Sequence, residues 1–215
     1  MDVLKLISTG SGKMAEVPSI STSVCLNKYC GEHAKIDGAI CKYCFAMRYA
    51  KMRESLRKKL ARNHEILTTR ILEDKEVPIV NAQIFRFESF GDLNNTTQLR
   101  NYYKIARMNP NVKFALWTKN PSIIVECDEQ MPLNITLVMS SLFVNVSITQ
   151  QQIDRFLKKC DGKVDACQVK VFTVYNKKYA TDNNIDINCG ARSCFSCQKC
   201  YHKDNGQVFI KELIK

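Results

Sequence analysis

The sequence has no long apolar run. Its hydrophobic stretches are strand-sized, well short of the roughly 20 residues a membrane-spanning helix needs, so no membrane contact is expected. Histidine is scarce: His33, His64 and His202 are the only three, and no Ser-His-Asp arrangement can be read from them. There is no G-x-G-x-x-G, which leaves a Rossmann domain unsupported. Gly10-Ser-Gly-Lys13 lacks the earlier glycine and the following Ser or Thr of a P-loop. Internal repeats and low-complexity linkers are also missing. The segment from Met1 to Lys13 has no long apolar core and no small-residue cleavage site, so no secretory signal is expected and the chain is placed in the cytoplasm. At 215 residues, 45% hydrophobic and 25% charged, the composition is globular and suits one domain with or without a small appendage.

Cysteine and positive charge are what the sequence has in excess. Eleven cysteines are unusual for a chain in a reducing compartment, where disulfides are rare and clustered thiols point to metal or redox chemistry. Thirty-two Lys and Arg against 21 Asp and Glu leave a net charge of +11, which favours nucleic acid or another polyanion as a partner. The cysteines fall into two groups, with Cys127, Cys160 and Cys167 scattered between and expected to pack as small hydrophobes. Cys189, Cys194, Cys197 and Cys200 follow C-x4-C-x2-C-x2-C. Two consecutive C-x2-C steps wrap a loop compactly, as around cubane iron–sulfur clusters, while structural zinc more often takes two separated C-x2-C pairs. The earlier group is Cys25-x4-Cys30-x10-Cys41-x2-Cys44. If three of its thiols bind a cluster, Cys25 or Cys30 is the distant ligand; if all four bind, no iron is left open. His33 reads as a polar loop residue, because thiolates outnumber it.

Hydrophobic periodicity arranges the rest. Val17 to Val24 reads as a strand leading into the first cysteine loop. Phe45, Tyr49, Met52, Leu56 and Leu60 form one stripe of a long helix. Its other face is basic: nine Lys or Arg lie between Lys42 and Arg70 against Glu54 and Glu65. Lys51, Arg53, Arg57, Lys58, Lys59 and Arg62 are the candidate nucleic-acid contacts, or else a solvated face. Ile84 to Glu88 reads as a strand, followed by a Ser-Phe-Gly-Asp loop. A helix capped by Thr96 or Thr97 runs to about Met108. Val112 to Thr118 is a strand, with Phe114 and Trp117 expected in the core. Pro121 opens a short helix to about Glu129. Ile135 to Ser140 is a strand, Thr149 and Gln152 make a capping box for a helix to about Lys159, and Cys167 to Val174 is a strand. Val208 to Ile214 closes the chain as a short strand or helix. This alternation predicts an α/β fold, a partial (β/α) barrel or open parallel sheet. Residues 1–180 would form the core, with the cysteine loop at 25–44, and residues 181–215 a cysteine-rich extension. Ligands of such sheets gather at the carboxyl ends of the strands.

These pieces together resemble the phage gene product 88 family. The resemblance is carried by Ser8-Thr-Gly-Ser-Gly-Lys13, Pro18-Ser-Ile-Ser, Cys44-Phe-Ala46, Glu88-Ser-Phe-Gly-Asp92, Leu116-Trp-Thr-Lys119 and Cys200-Tyr201. It spans nearly the whole chain through short motifs, and Cys25-Leu-Asn stands where that family has Cys-Pro-Gly. More remotely, Cys41-Lys-Tyr-Cys44 and the layout are similar to a shortened radical-SAM core, whose usual spacing is C-x3-C-x2-C. That likeness implies an open-iron cluster binding S-adenosylmethionine, with Glu88, Gly91 and Asp92 facing its ammonium group. The alternative for Gly91-Asp92 is a tight turn capping the next helix. The resulting expectation is a phage-type protein of the host cytoplasm with two 4Fe-4S clusters and a redox partner or nucleic acid. A radical-SAM enzyme is the first alternative, and a zinc-stabilised nucleic-acid-binding domain the second.

Overall fold

The computed structural model describes residues 5–203 and 205–214. Six strands form one sheet: β1 (Ser19–Ile20), β2 (Ile84–Phe87), β3 (Lys113–Thr118), β4 (Ile135–Ser140), β5 (Val169–Tyr175) and β6 (Phe209–Leu213). They lie in chain order and every pair is parallel. The fold is therefore α/β with an open parallel sheet. Eight helices connect the strands: α1 (Lys28–His33), α2 (Phe45–Met52), α3 (Glu54–Thr69), α4 (Thr96–Met108), α5 (Ser122–Glu126), α6 (Gln150–Cys160), α7 (Lys177–Asp182) and α8 (Cys194–Cys197). Among the described residues, no helix is long and apolar enough to cross a membrane.

Strand alternation sends successive side chains to opposite faces. Phe85, Phe87, Phe114, Leu116, Ile135, Leu137, Val169 and Val171 join one core with side chains of α3, α4, α5 and α6. Its centre is aromatic: Phe87 stacks on Tyr102 with ring centroids 4.3 Å apart and on Phe114 at 5.0 Å, an offset geometry that adds to the burial of apolar area. Ile84, Ala115 and Val138 face the other way and pack with Val17, Met14, Trp117, Phe172, Cys194, Cys200 and Tyr201. The C-terminal cysteine segment thus covers the second face, and β6 pairs with β5 in the same sheet as the core.

Several elements differ from the sequence-based expectation. Only Ser19–Ile20 of the expected strand Val17–Val24 pairs, because Ser21 to Val24 turn away toward the cysteine loop while staying buried. The long helix after Cys44 is two helices, broken at Arg53 (φ −121°, ψ 100°). In α2 the buried residues are Ala46 and Ala50, and Phe45 and Met52 of the expected stripe are 55% and 74% exposed, whereas Leu60 in α3 is buried. Small side chains let α2 approach its neighbours on that side, which rotates the larger ones outward. Cys167 lies in the turn before β5 and is exposed, unlike Cys127 and Cys160, which are fully buried. The cap of α4 is Asn95, one residue before the expected threonines.

Buried amides fasten the connections. Asn101 accepts from the Leu72 amide at 2.8 Å and donates to the carbonyls of Leu67 and Arg70 at 2.9 and 2.8 Å, tying α4 to the end of α3. Asn109 and Asn134 do the same around the entry to β3. Replacing Asn101→Leu strands one backbone donor and two acceptors in a buried place, so a loss of about 2–4 kcal/mol is expected. Urea unfolding checks it: a lower midpoint at an unchanged slope is the expected outcome, and an unchanged midpoint would show that water takes over all three groups.

Candidate metal centres

The first cysteine loop is drawn across the carboxyl ends of three strands. Asn27 caps α1 by accepting from the Cys30 amide at 3.2 Å, and its own amide donates to the Asp92 carbonyl at 2.9 Å. The Tyr29 hydroxyl donates to the Lys119 carbonyl at 2.5 Å, and the Ile40 amide to the Leu142 carbonyl at 2.9 Å. These contacts hold the loop beyond the ends of β2, β3 and β4, where ligands of open α/β sheets gather. His33 stacks on Tyr29, with Nδ1 2.9 Å from the Tyr29 carbonyl, so it is engaged within α1.

Cys30, Cys41 and Cys44 are half-buried neighbours. Burial pushes the Cys30 thiol well up, and Asp92, Cys41, Glu88 and Cys44 push it further. Burial also raises Cys41, with Lys119 opposing and Cys44 and Asp92 adding to it. Cys25 is exposed, and its thiol donates to Met47 Sδ at 3.5 Å.

The three residues aligned with cofactor binding form a clasp beneath this loop. Glu88 sits at positive φ (60°) at the end of β2, and its carboxylate is enclosed. It accepts from the Thr22 hydroxyl at 3.1 Å, from Gln98 Nε2 at 2.7 Å and from the Tyr102 hydroxyl. Asp92 is buried and accepts from Thr118 Oγ1 at 2.5 Å, the Leu93 amide at 2.8 Å and the Lys119 amide at 3.0 Å. A Cβ on Gly91 would stand 2.4 Å from Glu88 Oε2 and 2.8 Å from the Thr22 carbonyl. Only a glycine lets this turn close on the clasp.

Of the second group, Cys194 and Cys200 pack against the second sheet face. Ser193 caps the short α8 by accepting from the Phe195 amide at 3.1 Å, and the Cys189 amide donates to the Lys211 carbonyl of β6 at 2.9 Å. Burial raises Cys200 to about 12, Cys189 adds to this, Arg86 opposes it, and Cys194 and Cys197 add again. Cys194 is raised by burial and held back by Lys13 and Arg86. Lys13 Nζ stands 3.2 Å from Cys189 Sγ and 2.8 Å from Glu212. Although burial lowers the Lys13 ammonium, those two partners hold it above its usual range. Trp117 Nε1 is buried on this face with no hydrogen-bond acceptor. Among the described residues, no three His, Cys, Asp or Glu side chains are gathered so as to hold a metal ion as they stand. Each group is a set of neighbouring thiols rather than a closed cage.

Of the basic residues, Lys51, Arg53, Arg57, Lys58 and Arg62 are exposed. Lys58 pairs with Glu54 at 2.8 Å, Arg53 lies over the Tyr49 ring at 4.9 Å, and Lys59 turns in to donate to the Ile7 carbonyl at 2.6 Å. Sequence reasoning passed over Lys13, Arg86 and Asn27. The alternation Phe85-Arg86-Phe87 was a usable signal, since it places an arginine on the face opposite two core phenylalanines. Compared with known proteins, the chain matches no family model, no curated protein and no solved structure.

Two outcomes test the clasp. Gly91→Ala should lower stability by about 1–3 kcal/mol through overpacking, read as a drop in thermal midpoint; an unchanged midpoint would mean the loop gives way freely. Burial holds the Glu88 carboxyl up at about 7, with Tyr102 and Thr22 opposing and Asp92 reinforcing it. The folded chain therefore binds this proton more tightly than the unfolded chain. That contribution is fully present below about 4.5 and is lost as pH rises through about 7. The thermal midpoint should fall across this window, and Glu88→Gln should flatten the fall; an identical profile in the variant would exclude Glu88 as its source.

Proposed function

We propose that the chain is an iron–sulfur protein with two clusters, of the 4Fe-4S kind, on a radical-SAM-like layout. Cys30, Cys41 and Cys44 would hold one, and Cys189, Cys194, Cys197 and Cys200 the other. What supports this reading is that Cys194 and Cys200 pack on the second sheet face while the loop of Cys30, Cys41 and Cys44 is fastened at the strand ends. Burial raises the Cys30, Cys41, Cys194 and Cys200 thiols, and neighbouring thiols of the same group add to it; a bound metal would favour their deprotonated forms. The donor types suit it: three or four thiols in each group, with the buried, acceptor-less indole N–H of Trp117 on the face that packs Cys194 and Cys200. Indole N–H groups are suited to donate to sulfur near a cluster.

Bound clusters would supply one-electron acceptance and donation. Asn27 and Tyr29 would fix the first loop over the strand ends, Lys13 would donate to the Cys189 sulfur, and Tyr201 would seal the second group against the sheet. The role that follows is electron transfer or redox sensing toward a partner protein. The exposed bases of α3 would meet nucleic acid or another polyanion in the host cytoplasm of a phage-type protein. One observation favours a second reading, the radical S-adenosylmethionine enzyme: Cys25 faces Met47, which leaves three thiols at the first site and one iron without a protein ligand.

Anaerobic purification followed by iron and sulfide analysis tests this. About eight irons per chain are expected for two cubanes, about four after Cys41→Ser with Cys44→Ser, and about eight after Cys25→Ser. Zinc in place of iron would overturn the reading and favour the zinc-stabilised domain. A spectrum of the reduced protein that changes on adding S-adenosylmethionine would favour the enzyme.

A further inference from the structure

Helix α2 carries its large side chains outward. Phe45, Arg48, Tyr49 and Met52 recur at three- and four-residue steps, so they share one face, while Ala46 and Ala50 are the residues it buries. Phe45 is the hub of an aromatic group. Its ring meets Tyr49 edge-on with centroids 6.5 Å apart, and Phe90 of the loop after β2 at 5.7 Å. These contacts fix the ring although more than half of Phe45 is exposed. Two residues earlier, Tyr43 is 81% exposed.

Two guanidiniums stand at the same rings. Arg48 lies 5.6 Å and Arg53 4.9 Å from the Tyr49 ring centroid, a contact that orients a cation without neutralising it. Among the described residues, neither is paired with a carboxylate. Lys51 and Arg57 are exposed and equally unpaired, and the stretch from Lys42 to Arg70 sets nine Lys or Arg against two Glu. Exposed rings and unpaired cations thus occupy one surface.

We propose that this face of α2 binds single-stranded nucleic acid, with Tyr43 and Phe45 as stacking surfaces for bases and Arg48 and Arg53 as phosphate contacts. The proposal deepens the nucleic-acid reading above and rests on it. Proteins that hold single strands without sequence preference combine cations that track the backbone with rings on which bases stack. A duplex keeps its bases stacked on one another, so the rings would gain nothing from it and charge alone would hold it. A membrane surface fits less well: α2 has eight residues, about 12 Å of helix, and its exposed face is rings and guanidiniums rather than the long apolar side of an interfacial helix.

The test is fluorescence anisotropy of a labelled oligonucleotide of about 12 nucleotides, single-stranded and as a duplex, titrated with the anaerobically purified full chain at several salt concentrations. The single strand should bind more tightly than the duplex. Tyr43→Ala and Phe45→Ala should each weaken single-strand binding about 5- to 100-fold, with the salt slope and duplex binding unchanged. Arg48→Gln combined with Arg53→Gln should reduce the salt slope by about 1 to 2. Both rings flank Cys44, so metal content and thermal midpoint are measured for each variant; where Phe45→Ala disturbs either, Phe45→Leu keeps the packing and removes the ring. A duplex bound as tightly as the single strand, or ring variants that bind like the wild type, would overturn the inference and leave the nucleic-acid reading standing. Binding to phosphatidylserine vesicles but to neither oligonucleotide would overturn both and assign the face to a membrane surface, and no binding to any of them at low salt would overturn both as well.

Discussion

An all-parallel sheet has two apolar faces and must cover both. Here α3, α4, α5 and α6 cover one face. The other is closed by Met14 and by the segment that carries the last four cysteines, with Cys194, Cys200 and Tyr201 packed on Ile84, Ala115 and Val138. The second thiol group is therefore part of the packing that keeps the sheet dry, rather than an appendage to it. Folding of that segment and organisation of its thiols are one process, because β6 follows directly and completes the sheet beside β5. Any metal centre there is coupled to fold stability, as expected when ligands are assembled only in the native state.

The first group obeys a different constraint. Its loop holds only short helical turns and no strand of the sheet, and hydrogen bonds to the ends of strands fix its position. Asn27, Tyr29 and Ile40 each bond to backbone beyond a different strand. Beneath them, Glu88 and Asp92 are enclosed by donors from Thr22, Gln98, Tyr102, Thr118 and backbone amides. Such fully bonded carboxyl groups are tolerable in a low-dielectric place, where burial raises both of them. One end of β2 thus presents buried acid beneath the first cysteine loop, while Arg86, two residues before Glu88, lies over the Trp117 ring on the opposite face.

Local signals were readable where the physics is local. The Thr149–Gln152 capping box forms as expected, with the Gln152 side chain accepting from the Thr149 amide at 2.8 Å. The four central strands fall where their apolar runs lie, within a residue or two. Of the stripe Phe45, Tyr49, Met52, Leu56 and Leu60, Leu60 is buried and Leu56 packs beside it, but Phe45 and Met52 are exposed, because helical spacing shows only that one face could be apolar. Which face is buried depends on the neighbouring surface, and α2 meets that surface through Ala46 and Ala50. The expected strand Val17–Val24 was overextended for a related reason: its residues are buried, but their backbone partners past Ile20 are side chains and loops. Glu88, Gly91 and Asp92 were expected at a cofactor; the structure ties Glu88 to Thr22 and Asp92 to Thr118, with Gln98 Nε2 reaching both Glu88 and the Asp92 carbonyl, contacts that no short motif contains.

The sequence by itself determined the alternation of strand and helix, the two-group spacing of the thiols and the basic stretch around α3, because periodicity, spacing and charge are properties of neighbours along the chain. Only the tertiary structure decided that Cys30 keeps company with Cys41 and Cys44 while Cys25 faces Met47. It also decided that the terminal segment roofs the second sheet face, and that Lys13 and Arg86 stand beside thiols more than a hundred residues away. Those pairings arise from strand order and from which side of a strand a residue occupies, and both are settled when the sheet assembles and excludes water from its two faces.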